Sequence, residues 1–223
     1  MFTRPRVLVG AWISCLLLGL PSISDADTLL YDNGADLHVF NPVDSINPFH
    51  QVSDDFTLAS GATLQRIVFG EDTLRSGAGD IPVPTAVDWC IGSAAFSTSI
   101  ACGTAAIVAT STGFDSGTQA LTTNFSSELA LPDVSVAAGT YWLTLGNGTA
   151  SNLNNTYWSV SATSGNAQIQ GFAPAPVGIE DLNNEPSFQI YGTPVPEPSA
   201  LLLLGSALGA ARAAASRRRP PAA

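Results

Sequence analysis

The side chains of this sequence that could do chemistry are paired carboxylates, two histidines and two late cysteines. Asp54-Asp55, Glu71-Asp72 and Glu180-Asp181 are adjacent acids, and Asp32-Asn33-Gly34-Ala35-Asp36 places two more in one short stretch. A glycosidase needs two carboxylates facing each other across a cleft. Neighbours on a strand point to opposite faces, so Asp54 and Asp55 do not make that pair by themselves. A serine hydrolase would have to recruit His38 or His50, and no Gly-x-Ser-x-Gly elbow is present. The pattern reads as non-enzymatic, with no catalytic residue assigned. Calcium takes roughly six to eight oxygen ligands, mostly carboxylate and carbonyl. Asp32 and Asp36 are therefore weak metal candidates, and calcium is the one cofactor left open. The same Asp-Asn-Gly stretch is equally a turn, and no loop matches an EF-hand.

The elements that must position these residues read as strands. Leu121, Thr123 and Phe125 alternate with Thr122, Asn124 and Ser126, and Val87, Trp89 and Ile91 share one period-2 face. Tyr157 to Val160, Ser187 to Tyr191 and Tyr141 to Leu145 carry similar signals, the last ending at Gly146-Asn147-Gly148. Further strands are expected near 28–32, 53–58, 63–69, 104–110 and 166–170. Gly, Asn, Asp and Pro mark the breaks, and no amphipathic helix intervenes. The expectation is an all-β, antiparallel β-sandwich, jelly-roll-like, with long loops at 41–49 and 172–186. Trp142, Tyr157 and Trp158 lie near polar stretches where an aromatic could stack on a sugar. Alternation puts one of Tyr157 and Trp158 outside, and Tyr157 is taken as the glycan contact.

The two ends are of another kind. Arg4 and Arg6 precede an apolar run from Val7 to Leu20, and Ser24-Asp25-Ala26 supplies the small residues a signal peptidase reads. Residues 1–26 are expected to be a signal peptide cut after Ala26, with signal peptidase as the partner. Residues 27–193 then form the exported domain. An oxidising compartment makes Cys90–Cys102 a disulfide, closing a hairpin near Ser93–Ser97. Residues 194–223 have three parts. Val195-Pro196-Glu197-Pro198-Ser199 is held extended by its prolines, residues 199–216 form a short apolar helix, and Arg217-Arg218-Arg219 is a basic stop.

This ordered set of Pro196-Glu197-Pro198, Leu-rich helix and basic tail resembles the PEP-CTERM sorting signal of Gram-negative bacteria. The resemblance implies recognition and removal by an exosortase-like membrane transpeptidase. It also implies a membrane-anchored precursor, delivery to the cell surface or extracellular matrix, and association with exopolysaccharide or biofilm. Tyr31-Asp32-Asn33-Gly34, Ser53 to Leu58 and Ala138 to Leu143 are similar to pieces of sandwich domains found ahead of such tails. The alternative is a single-pass anchored module that binds carbohydrate or calcium, with a secreted hydrolase as a third reading.

Charge sets the class of partner. The 223 residues include 8 basic and 18 acidic ones, no lysine, and a formal net charge of −10. Residues 27–193 hold 16 acidic residues and 2 basic ones, Arg66 and Arg75, for a net −14. A nucleic acid needs a basic surface, so it is excluded as a partner. Hydrophobic residues make up 45%, which is too many for a disordered acidic tail.

Overall fold

A computed structural model describes residues 27–37, 45–75, 81–115, 122–152, 156–161, 163–171, 177–182 and 184–195. The signal peptide, His38, the Pro196-Glu197-Pro198 motif, the apolar helix and Arg217 to Arg219 lie outside them. The described residues form strands and no helix. The strands are β1 (Thr28–Asp32), β2 (His50–Leu58), β3 (Ala62–Leu74), β4 (Pro84–Gly92), β5 (Ala101–Asp115) and β6 (Thr122–Val136). They continue with β7 (Gly139–Ala150), β8 (Thr156–Trp158), β9 (Gln168–Gly171), β10 (Val177–Asp181) and β11 (Phe188–Pro194).

All pairings are antiparallel, in the order β1-β11-β3-β6-β5-β4-β7-β2-β9-β10, with β8 beside β3. β5 is the strand that curls this path into two layers. Ala101–Ala106 pairs with β4, and Ile107–Asp115 pairs with β6. One long strand thus passes from one sheet to the other, and the expected sandwich architecture holds. The first sheet is β1, β11, β3, β6, upper β5 and β8. The second is lower β5, β4, β7, β2, β9 and β10.

Alternation drives the packing. In β2, Val52, Asp54, Phe56 and Leu58 turn inward, while Gln51, Asp55 and Thr57 do not. Phe56 of the second sheet meets Tyr31 at 5.9 Å and Phe188 at 6.4 Å, ring centre to ring centre, from the first. Trp158 sits between Phe188 (5.6 Å) and Phe69 (6.2 Å). Each fully buried side chain of this size contributes about 1.5–3 kcal/mol. The seam therefore outweighs any single polar contact in holding the layers together.

Three features depart from the sequence reading. β7 does not stop at Gly146-Asn147-Gly148 but runs on to Ala150, with Asn147 at φ 51° and irregular register against β4. Residues 172–186, expected as loop, contain β10, which pairs with β9. Five residues between prolines carry too little periodicity to signal a strand, and the pairing comes from β9. In β6, three residues from Leu131 to Asp133 oppose one residue of β3. Pro132 has no N–H to give, and Asp133 takes φ 51° and accepts a 3.1 Å bond from Gln65 Nε2.

Candidate functional site

Sequence places the processing motif, and the fold shows where its chain leaves the domain. Thr28 pairs with Gly192, and Ala62 pairs with both Pro194 and Val136. These residues lie at one pole of the sandwich. Asp27, just before β1, is tied down there by Arg66 at 3.0 Å, whose guanidinium also stands 3.9 Å over the Tyr191 ring. On the other side of the sheet end, Val195 N donates to Gly61 O at 2.8 Å. Pro196 and Pro198 follow in the sequence, and neither has an N–H to donate to a ladder. The exit at Val195 is half exposed and directly adjoins the motif. Both ends of the domain therefore emerge on neighbouring strands at the same pole, without a spacer.

The acids take separate places. Asp54 and Asp55 face opposite ways: Asp54 is buried, and Asp55 accepts from Asn166 Nδ2 at 3.1 Å nearer the surface. Asp54 Oδ2 accepts from Asn33 Nδ2 at 2.7 Å, and its Oδ1 from Asp55 N at 2.9 Å. Burial first, then the charge of Glu185, pushes its pKa up to about 8. Burial also pushes Glu71 up to about 8, opposed by a 2.7 Å bond from Ser127 Oγ and helped by Asp72. The Tyr31 hydroxyl is pushed up by burial and by Asp54.

Asp32 and Asp36 bond to different partners. Asp32 Oδ1 caps the turn by accepting from Gly34 N at 3.0 Å, and its Oδ2 accepts from Gln189. Asp36 accepts from Ser159 Oγ at 2.6 Å. Among the described residues, no three His, Cys, Asp or Glu side chains are grouped to hold a metal ion. Tyr157 needs a correction. It does face away from Trp158, but only 6% of it is exposed, so it offers no surface for stacking. Its neighbour Asp72 on β3 and a bridge to Ser45 place it under cover. Trp142 of β7 is only partly buried.

A groove of about 210 Å³ opens instead on the outer face of the second sheet. The register explains it. Asp88, Gly146, Gln51 and Gln170 fall on one rung across β4, β7, β2 and β9. Cys90, Thr144, Ser53 and Gln168 form the next rung. Gly146 makes the floor: a Cβ there would lie 3.0 Å from that of Gln51 and stand between Asp88 and Gln51. Asn147 Nδ2 donates to Asp88 Oδ2 at 3.0 Å, and Thr104 Oγ1 donates to Asp88 Oδ1. Gln51 Nε2 donates to Gln170 Oε1 at 2.7 Å. A turn from Asn47 to His50 forms the upper wall, with Asn47 Oδ1 accepting from Phe49 N at 2.8 Å. The loop after β4 folds back from below, where Phe96 N reaches Ser53 Oγ at 3.4 Å. The disulfide Cys90–Cys102 forms as expected and joins directly paired residues of β4 and β5 beside the groove.

Sequence reasoning missed Asn47, His50, Gln51, Asp88 and Asn147 as one group. The outward set Gln51, Ser53, Asp55 in β2 was a usable signal, but its alignment with Asp88 depends on a strand order that sequence does not reveal.

Comparison with curated proteins gives no match. A family profile described as the PEP-CTERM protein-sorting motif matches residues 194–219. The match begins at the last residue of β11 and covers the Pro-Glu-Pro segment, the apolar run and the arginines. Residues 194–219 of the chain thus match the PEP-CTERM protein-sorting motif, which implies export and handling by exosortase-type machinery.

Proposed function

We propose that this chain is a non-catalytic surface protein, trimmed at its C-terminal tail and retained in a polysaccharide-rich layer outside the cell. The observation that carries the reading is the junction: the sheet ends at Pro194, and the sorting motif follows at once. Signal peptidase would release Asp27 at the same pole, freeing the domain from both membrane segments in turn. The buried Asp54 and Glu71 are closed to a substrate, which favours a binding role over a hydrolytic one. A lysine-free surface with a net charge of −14 over residues 27–193 keeps such a domain soluble and away from anionic partners.

The test is the intact mass of the protein recovered from its host, fraction by fraction. The expected species starts at Asp27, ends near Pro196-Glu197-Pro198 and lies outside the inner membrane. Replacing those three residues by alanine should leave the full tail on a membrane-bound form. Native protein that keeps Arg217 to Arg219 in the inner membrane would establish a single-pass anchor and sink the sorting step.

A further inference from the structure

We infer that the groove on the outer face of the second sheet is a binding site for a neutral, hydroxyl-rich glycan. The inference rests on the matrix reading above and names the surface that would carry it. Each sugar hydroxyl is both donor and acceptor, so its recognition asks for side chains that offer both roles in fixed planes. Carboxamides offer both roles, and a carboxylate beside them adds acceptors. Here their planes are already set: Asn147 is bonded to Asp88, and Gln51 to Gln170. The second lone pairs of the Asp88 oxygens and the Asn147 carbonyl remain to accept from a ligand. Gly146 leaves the space between Asp88 and Gln51 open at the level of the sheet, where a sugar ring can settle.

The rim supplies the apolar half. Phe49, between the lining residues Pro48 and His50, is 53% exposed, and the C–H face of a pyranose packs against such a ring. Positive φ marks the same place. Phe96, Asp133 and Asn147 are the non-glycine residues with φ > 0 among those described, and Asn147 lines this groove. Strained backbone persists where the surrounding structure over-determines it, and it clusters at ligand sites. The acidic domain and Asp88 itself repel uronate or sulfate groups, which selects the neutral class.

The experiment uses processed protein recovered from its host, run through native gels cast with dextran, galactomannan or alginate. Retardation by at least one of the two neutral polysaccharides, and none by alginate, is expected. Phe49→Ala and Gln51→Ala should each weaken binding by up to about tenfold, at an unchanged melting temperature. Phe49 is an exposed turn residue, so its variant keeps the test open if Gln51→Ala disturbs the sheet. Unchanged retardation in both variants overturns the groove while the matrix reading stands. Retardation by alginate alone overturns the neutral class. No retardation by any polysaccharide removes the matrix reading and the groove together.

Discussion

Asp54 and Glu71 hold protons at a pH where most protein carboxyls do not. Both are fully buried, and both are pushed up to about 8, chiefly by the loss of water around them. No basic side chain is among the groups that set either value. An acid whose folded pKa lies above its unfolded one binds more protons in the folded state between the two values. Its contribution is therefore complete at low pH and is lost as pH rises from about 4 through about 8. Each such group tilts stability by up to about 1.4 kcal/mol per pH unit inside that window. The melting temperature should fall from pH 5 to pH 8.5, and Asp54→Asn with Glu71→Gln should flatten the profile. A flat wild-type profile would show that neither proton is held. At this scale the sequence was only partly legible. Its alternation assigned the opposite faces of Asp54 and Asp55, and of Tyr157 and Trp158. It did not show that Tyr157 would be covered, because the cover comes from residues far away in the chain, such as Ser45.

Strands were the most legible level, since alternation follows from the two-residue period of the backbone. Each stretch expected as strand lies in or overlaps one, but β10 and the β6 bulge were invisible. Both depend on a partner: β10 on β9, and the bulge on the single β3 residue, Gln65, opposite it. Two substitutions test how elements are held. Gly192 lies in β11 between β1 and β3, where an added Cβ would meet Thr63 O at 2.0 Å. That atom is backbone and cannot swing aside. Gly192→Ala should therefore cost about 1–3 kcal/mol or more, read as a lower denaturation midpoint. A neutral result would mean that β3 and β11 slide apart freely. The disulfide closes the β4–β5 hairpin across residues 12 apart in sequence. Replacing both Cys90 and Cys102 by serine should cost about 3 kcal/mol in the chain-entropy model. Proteolytic nicking between Ser93 and Ile100 should also become faster, as limited digestion can show.

The whole molecule was the least legible scale. Class and the C-terminal sorting motif followed from composition and pattern, but the order of strands did not. Nothing local in β5 announces that its first half serves one sheet and its second half the other. The groove shares that opacity, because its rungs combine β4, β7, β2 and β9. The position of β11 has one more consequence, and it is mechanical. On the proposed route, drag on the domain before the tail is cut would reach it through Val195. β11 lies between two neighbours, bonded through seven residue pairs to β3 and four to β1. A pull along its axis loads those rungs together, in shear. A tail attached to an edge strand and pulled sideways would open them one at a time, like a zipper. A domain so arranged would resist unfolding under tension applied at that end.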